Sequence, residues 1–161
     1  MGESDADRPN PARVVADADV LAADLLIGGA AREALDLVRG HSWVELPASD
    51  ALLADAERVI ERCSDRELAA AWRDRIERER VTVGHPAGDH PALASAYQGN
   101  AAHLLSLDEE LRSARTGAKL RTRLPVSIKT PDGFCRLFDP ASLYEVVEGG
   151  TYPGPDRDPR E

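Results

Sequence analysis

In Arg13-Val14-Val15-Ala16-Asp17-Ala18-Asp19-Val20-Leu21 a short β-branched run ends on an aspartate, and an apolar helical pattern starts immediately after it. Val14 and Val15 favour extended chain because branched side chains fit a pleated surface. The apolar positions of residues 20–27, closed by Gly28-Gly29, predict a helix with a glycine stop. Asp17 is thus expected at the carboxyl end of a strand that hands directly to a helix, the repeating unit of parallel α/β folds.

The same alternation continues outward. Residues 30–38 put Ala31, Ala34, Leu35 and Val38 on one helical face before Gly40, and residues 43–46 predict a strand. Ser49 suits the N-cap of a helix with the stripe Leu52, Leu53, Ala56, Val59, Ile60 and Cys63; Ser64 with Glu67 predicts a capping box for the next helix, which carries Leu68, Trp72 and Ile76. Asp89 precedes Pro91 at an expected helix start, Gly99-Asn100 breaks the chain, and the apolar run of residues 101–105 predicts a second strand ending in Ser106-Leu107-Asp108. Val126-Ser127-Ile128 predicts a last strand, followed by Thr130-Pro131 and a helical pattern through Phe134, Leu137 and Phe138. The expected architecture is a three-layer α/β/α sandwich around a central, mainly parallel sheet. Its ordered part is expected over residues 13–148, with disordered tails at 1–12 and 149–161, where proline, glycine and charge dominate.

Composition limits the function classes. A chain of 161 residues with 42% hydrophobic content supports one domain with a real core. Neither an apolar run of membrane-spanning length nor a basic-then-apolar leader occurs, so no membrane partner and a cytoplasmic location are expected. The two cysteines, Cys63 and Cys135, lack CxxC spacing and sit in apolar patterns, which predicts buried thiols. His41, His85, His90 and His103 show no zinc-ligand spacing and are expected as surface or packing residues, while Trp43 and Trp72 are expected in the core. The net charge of −9 argues against a nucleic-acid partner by global attraction. Because only Lys119 and Lys129 are lysines, the composition fits an acidic proteome from a salty or GC-rich cell, where a Debye length of about 3 Å at 1 M salt removes most long-range repulsion.

Ligands of open parallel sheets sit beyond the carboxyl ends of the strands, so Asp17 and Asp108 are expected to point to one place. Asp89, at a helix start, is favoured there by the helix dipole. Carboxylates about 4 Å apart repel by roughly 4 kcal/mol at an effective dielectric of about 20, and a hard divalent cation, Mg2+ or Mn2+, relieves that repulsion through oxygen ligands. Such an ion implies phosphodiester hydrolysis.

These segments resemble PIN-domain nucleases, in a haloarchaeal-type form. Arg13 to Leu21 is similar to the family's opening strand, with Asp17 at its invariant acid. Asp89, Gly99, and the run His103-Leu-Leu-Ser106-Leu-Asp108-Glu-Glu-Leu111 resemble its third acid and T-x-D-x-x-L signature, with Ser106 in place of threonine. Val126-Ser-Ile-Lys-Thr130-Pro-Asp-Gly-Phe134 resembles its closing strand and helix start. The second acid aligns with Asp55, where the family writes glutamate; Glu57 is the fallback. The resemblance implies an Mg2+- or Mn2+-dependent endoribonuclease with Asp17, Asp55, Asp89 and Asp108 as catalytic metal ligands, Ser106 and Asp19 supporting the metal, and RNA as substrate. It also implies a possible antitoxin-like protein partner and a possible homodimer. The basic run Arg112, Arg115, Lys119, Arg121 and Arg123 is expected either as a solvated face or as a phosphate contact. Two rival readings stand beside it: a binding or assembly module of the same fold that has lost activity, and a haloacid-dehalogenase-type phosphatase with Asp17 as nucleophile, Asp19 as the second acid and Lys119 as partner.

Overall fold

A computed structural model of the protein describes residues 8–113 and 126–160. Lys119 and the basic positions Arg115, Arg121 and Arg123 lie outside those residues. The chain runs β1 (Asn10–Ala16), α1 (Ala18–Leu26), α2 (Gly29–Arg39), β2 (Leu46–Ala48), α3 (Asp50–Cys63), α4 (Arg66–Glu79), β3 (Arg80–Thr82), α5 (Pro91–Gln98), β4 (Ala101–Leu105) and α6 (Glu109–Arg112). Past the undescribed stretch follow β5 (Ser127–Lys129), α7 (Pro131–Leu137) and α8 (Pro140–Val147).

Every strand pair among the described residues is parallel. One ladder has the order β1-β4-β5, with Val15 opposite Leu104 and Leu104 opposite Ile128; the other joins β2 to β3. Val14 N donates to Glu45 O at 3.0 Å and Glu45 N to Ala12 O at 2.8 Å, which brings the β2 side of the fold against β1. The result is a mixed α/β fold with a mostly parallel sheet. Val14, Val15, Leu104 and Leu105 are fully buried and meet Leu21, Leu35, Leu52, Leu53 and Ile60 from the helices in one core. Each such aliphatic side chain contributes roughly 1.5–3 kcal/mol on leaving water. Among the described residues no helix is long and apolar enough to cross a membrane.

Gly99 ends α5 because nothing larger fits: a Cβ there would lie 2.5 Å from Pro47 Cβ and 3.0 Å from Ser95 O. The Gly99 carbonyl accepts from Arg13 Nη1 at 2.8 Å, so one tight corner links β1, β2 and the entry to β4.

Several local expectations need correction. The strand begins at Asn10, inside the segment expected as a disordered tail. The cap of α4 is Asp65, whose carboxylate accepts from Leu68 N at 2.7 Å, in place of the expected Ser64. The short strand β3 follows α4 without a turn signal and has no periodicity to betray it; Arg80 anchors it by donating to Ala48 O at 2.9 Å and to Asp50 at 2.6 Å. Cys63 is exposed and Cys135 half-buried, so neither is the fully buried thiol expected.

The segment from Gly149 onward was expected to be free, yet its described residues are held along α2. Tyr152 Oη lies 2.6 Å from His41 Nε2, Asp156 N donates to Gly40 O at 2.9 Å, Asp156 accepts from Ser42 N at 2.7 Å, and Arg160 pairs with Asp36. Its composition matches a solvated tail; its polar groups find partners only once α2 is in place. Trp72 is buried as expected, and Trp43 packs edge-on against Tyr144.

Candidate functional site

The carboxyl ends of β1 and β4 lie side by side. Asp17 N donates to Leu105 O at 2.9 Å, carrying the ladder one step past β1, and Ser106 N donates to Lys129 O at 3.0 Å, carrying the next one past β4. Asp17 then turns into α1 as its N-cap, with extended φ/ψ of −62°/161° and Oδ1 accepting from Ala18 N at 2.8 Å. Its other oxygen, Oδ2, accepts from Ser106 Oγ at 2.9 Å. The same hydroxyl oxygen accepts from Asp108 N at 3.1 Å, so the fully buried Ser106 clamps the turn that leads to Asp108.

Asp19 completes this arrangement from the first turn of α1. Its Oδ2 accepts from Leu107 N at 3.2 Å, while Oδ1 is buried without a hydrogen-bond partner. Burial, then the neighbouring charge of Asp17, and to a smaller degree that of Asp108, push the Asp19 carboxyl up to about 6, against the opposing pull of the nearby Val20 and Leu107 N–H groups. Asp108 caps α6, accepting from Glu110 N at 2.9 Å and Leu111 N at 3.4 Å, and is itself exposed.

Asp17, Asp19, Ser106 and Asp108 are thus brought together; the other expected acids stand differently. Asp55, half-buried on α3, pairs with Arg58 one turn along the same helix. Glu57, the fallback, pairs with Arg73 at 3.1 Å. Asp89 stands one residue before the helix start it was expected to occupy: the N-cap of α5 is His90, whose Nδ1 accepts from Ala92 N at 3.2 Å. Among the described residues no three His, Cys, Asp or Glu side chains are grouped as a ready metal cage, so the expected set Asp17, Asp55, Asp89 and Asp108 is not assembled as such.

The donors at the strand ends are nevertheless of the right kind for a hard cation. They are carboxylate oxygens, and the unsatisfied Asp19 Oδ1 is a buried polar atom of the sort that asks for a partner. That atom belongs to a residue expected only to support the site; Asp19 follows Asp17 by two positions, and the local signal for it was the spacing alone. A second feature had no sequence signal. His103 and Lys129, read separately as a packing residue and one of two lysines, lie with Nδ1 and Nζ 3.2 Å apart. Only the β4–β5 pairing brings them together.

No curated protein and no solved structure matches the chain. One family profile does, over residues 8–160, nearly the whole described fold. The chain belongs to that family, described as Family of unknown function (DUF7384).

Proposed function

We propose that the protein is a divalent-metal-dependent endoribonuclease of PIN-like architecture, a three-layer sandwich in which the acid group at the ends of β1 and β4 holds Mg2+ or Mn2+. The observation that carries this reading is the buried, unpartnered Asp19 Oδ1 beside Asp17 and Asp108 at the carboxyl edge of parallel strands. Asp17 and Asp19 would hold the ion, with Asp108 on the exposed turn beside them, a smaller acid set than the family resemblance implies. When bound, the ion would polarise a phosphoryl oxygen and lower the pKa of a water that attacks phosphorus.

The chain's own groups supply the rest. Ser106 holds Asp17 Oδ2 and the Asp108 backbone in one geometry, so two acids from distant segments stay in register. The N-terminus of α1 favours the Asp17 and Asp19 negative charge. Leu107, 47% exposed between Ser106 and Asp108, leaves this edge open to a long substrate.

Manganese-dependent cleavage of single-stranded RNA, lost in Asp17→Asn and in Asp108→Asn with the circular dichroism unchanged, is the expected result; uncut RNA across varied sequences would sink the proposal. The pairing of Asp55 with Arg58 favours a second reading, a binding or assembly module that has lost activity. Under it Mn2+ leaves the melting temperature unchanged, whereas an ion bound at its Kd a hundredfold over stabilises the native state by about 2.7 kcal/mol.

A further inference from the structure

Between β4, β5, α7 and α8 lies a cavity of about 310 Å³, lined by Phe134, Phe138, Leu143 and Val146, with His103 and Lys129 as its nitrogen-bearing residues. The register explains their meeting. Leu105 pairs with Lys129, and His103 is two residues before Leu105, so His103 and Lys129 share one face of the sheet. Lys129 Nζ lies 3.2 Å from His103 Nδ1, to which the ammonium donates. Burial first, then the Lys129 charge, lowers His103 to about 4, so the ring is a neutral acceptor. Lys129 forms no ion pair with a carboxylate among the described residues, and burial lowers its own pKa.

The half-buried Lys129 ammonium, hydrogen-bonded to a neutral imidazole and paired with no carboxylate among the described residues, is short of countercharge. The cavity opens past Leu137 and Val146, which are 72% and 78% exposed, so an anion can enter from solvent. The one acid on the lining among the described residues, Asp139, has its oxygens on Ser142 N at 3.2 Å and Ser142 Oγ at 2.8 Å, and those bonds hold its pKa down. A permanent negative charge at the rim disfavours a dianion such as a phosphate monoester and admits a monoanion. At about 30 Å³ per water, the volume is that of about ten waters, which suits a ligand of about a dozen non-hydrogen atoms.

We propose that this cavity binds a small monocarboxylate with an aliphatic or aryl body, its carboxylate accepting from Lys129 Nζ and its apolar part lying along Phe134, Phe138 and Leu143. The lining shares no side chain with the aspartate edge, and the proposal does not depend on nuclease activity.

Calorimetric titration of the full chain with 4-phenylbutyrate tests it, with 4-phenylbutyramide as the uncharged match. Expected are one site per chain, binding at least about tenfold weaker for the amide, the equivalent of about 1.4 kcal/mol, and a similar loss for the acid in Lys129→Met, which keeps the stem and removes the charge. Leu143→Trp, which fills the recess, should abolish binding. The comparison of acid with amide uses the unaltered chain, so a variant that fails to fold does not blunt the test. Absence of heat up to about 10 mM acid, equal binding of acid and amide, or displacement of the acid by a short single-stranded RNA would each overturn the proposal, the last by assigning the cavity to nucleic acid.

Discussion

Ser106 Oγ donates to Asp17 Oδ2 at 2.9 Å across 89 positions of sequence, and the same oxygen accepts from Asp108 N. One buried hydroxyl therefore sets the separation of two acids that no local pattern relates. Ser106→Ala takes a hydrogen-bond partner from both Asp17 Oδ2 and Asp108 N at a fully buried position. Loss of about 1–3 kcal/mol is expected by urea unfolding at pH 7. Ser106→Cys, which preserves volume with a weak donor, should fall between the two; equal stability of Ser106→Ala and the parent would remove the clamp from the argument.

Asp19 and His103 tilt the stability curve in opposite directions between pH 4 and 6.5. Asp19 is raised from 3.8 to about 6, so in that interval the native chain binds the extra proton and stability falls as pH rises. Asp19→Asn should raise stability at pH 7.5 by about 1 kcal/mol without metal. That is well under what the full displacement gives at 1.36 kcal/mol per pH unit, because Asp19 is only half-buried and solvent screens it. At pH 3.5, below both pKa values, the substitution should make little difference. A flat difference between thermal melts at the two pH values would contradict this account.

His103 is lowered from 6.5 to about 4, so over that interval the unfolded chain binds more protons and stability falls as pH drops. His103→Gln should flatten the acid side of the stability curve. Thermal melts from pH 7 to pH 4.5 read it directly, and an unchanged acid limb would mean that another group titrates there.

Gly99→Ala puts a methyl 2.5 Å from Pro47 Cβ, a ring atom that cannot rotate away. Overpacking of this kind costs about 1–3 kcal/mol. Gly84→Ala, whose nearest neighbour is the Gln98 side-chain oxygen at 4.0 Å, is the matched control and should stay close to neutral. Denaturant midpoints of the two variants should therefore differ clearly.

Truncation after Glu148 removes the partner of the buried His41 Nε2 as well as the pairs to Gly40, Ser42 and Asp36. An orphaned buried nitrogen costs about 1–3 kcal/mol, and the melting temperature should fall by roughly 5 °C. A truncated chain that melts with the parent would show these contacts to be incidental.

What local chemistry determines in this chain is visible at Val14-Val15-Ala16-Asp17 and again at residues 101–108: β-branched or aliphatic runs must bury, glycine and proline must interrupt, and an acid must follow the strand as a cap. Those rules act over a few residues, so the parallel α/β class and the strand-end positions of Asp17 and Asp108 are readable without coordinates. They do not reach the meeting of segments. The Asp55–Arg58 pair and the His90 cap join residues at most three apart and are local; Asp17 meets Ser106, and Asp19 meets Leu107 N, because those outcomes depend on which neighbour stands within about 3 Å after the sheet has formed. The His103–Lys129 contact and the docking of Tyr152 on His41 are of the same kind. Strand register and helix packing decided them, since hydrogen bonds and charges act over ångströms in space, whatever the separation along the chain.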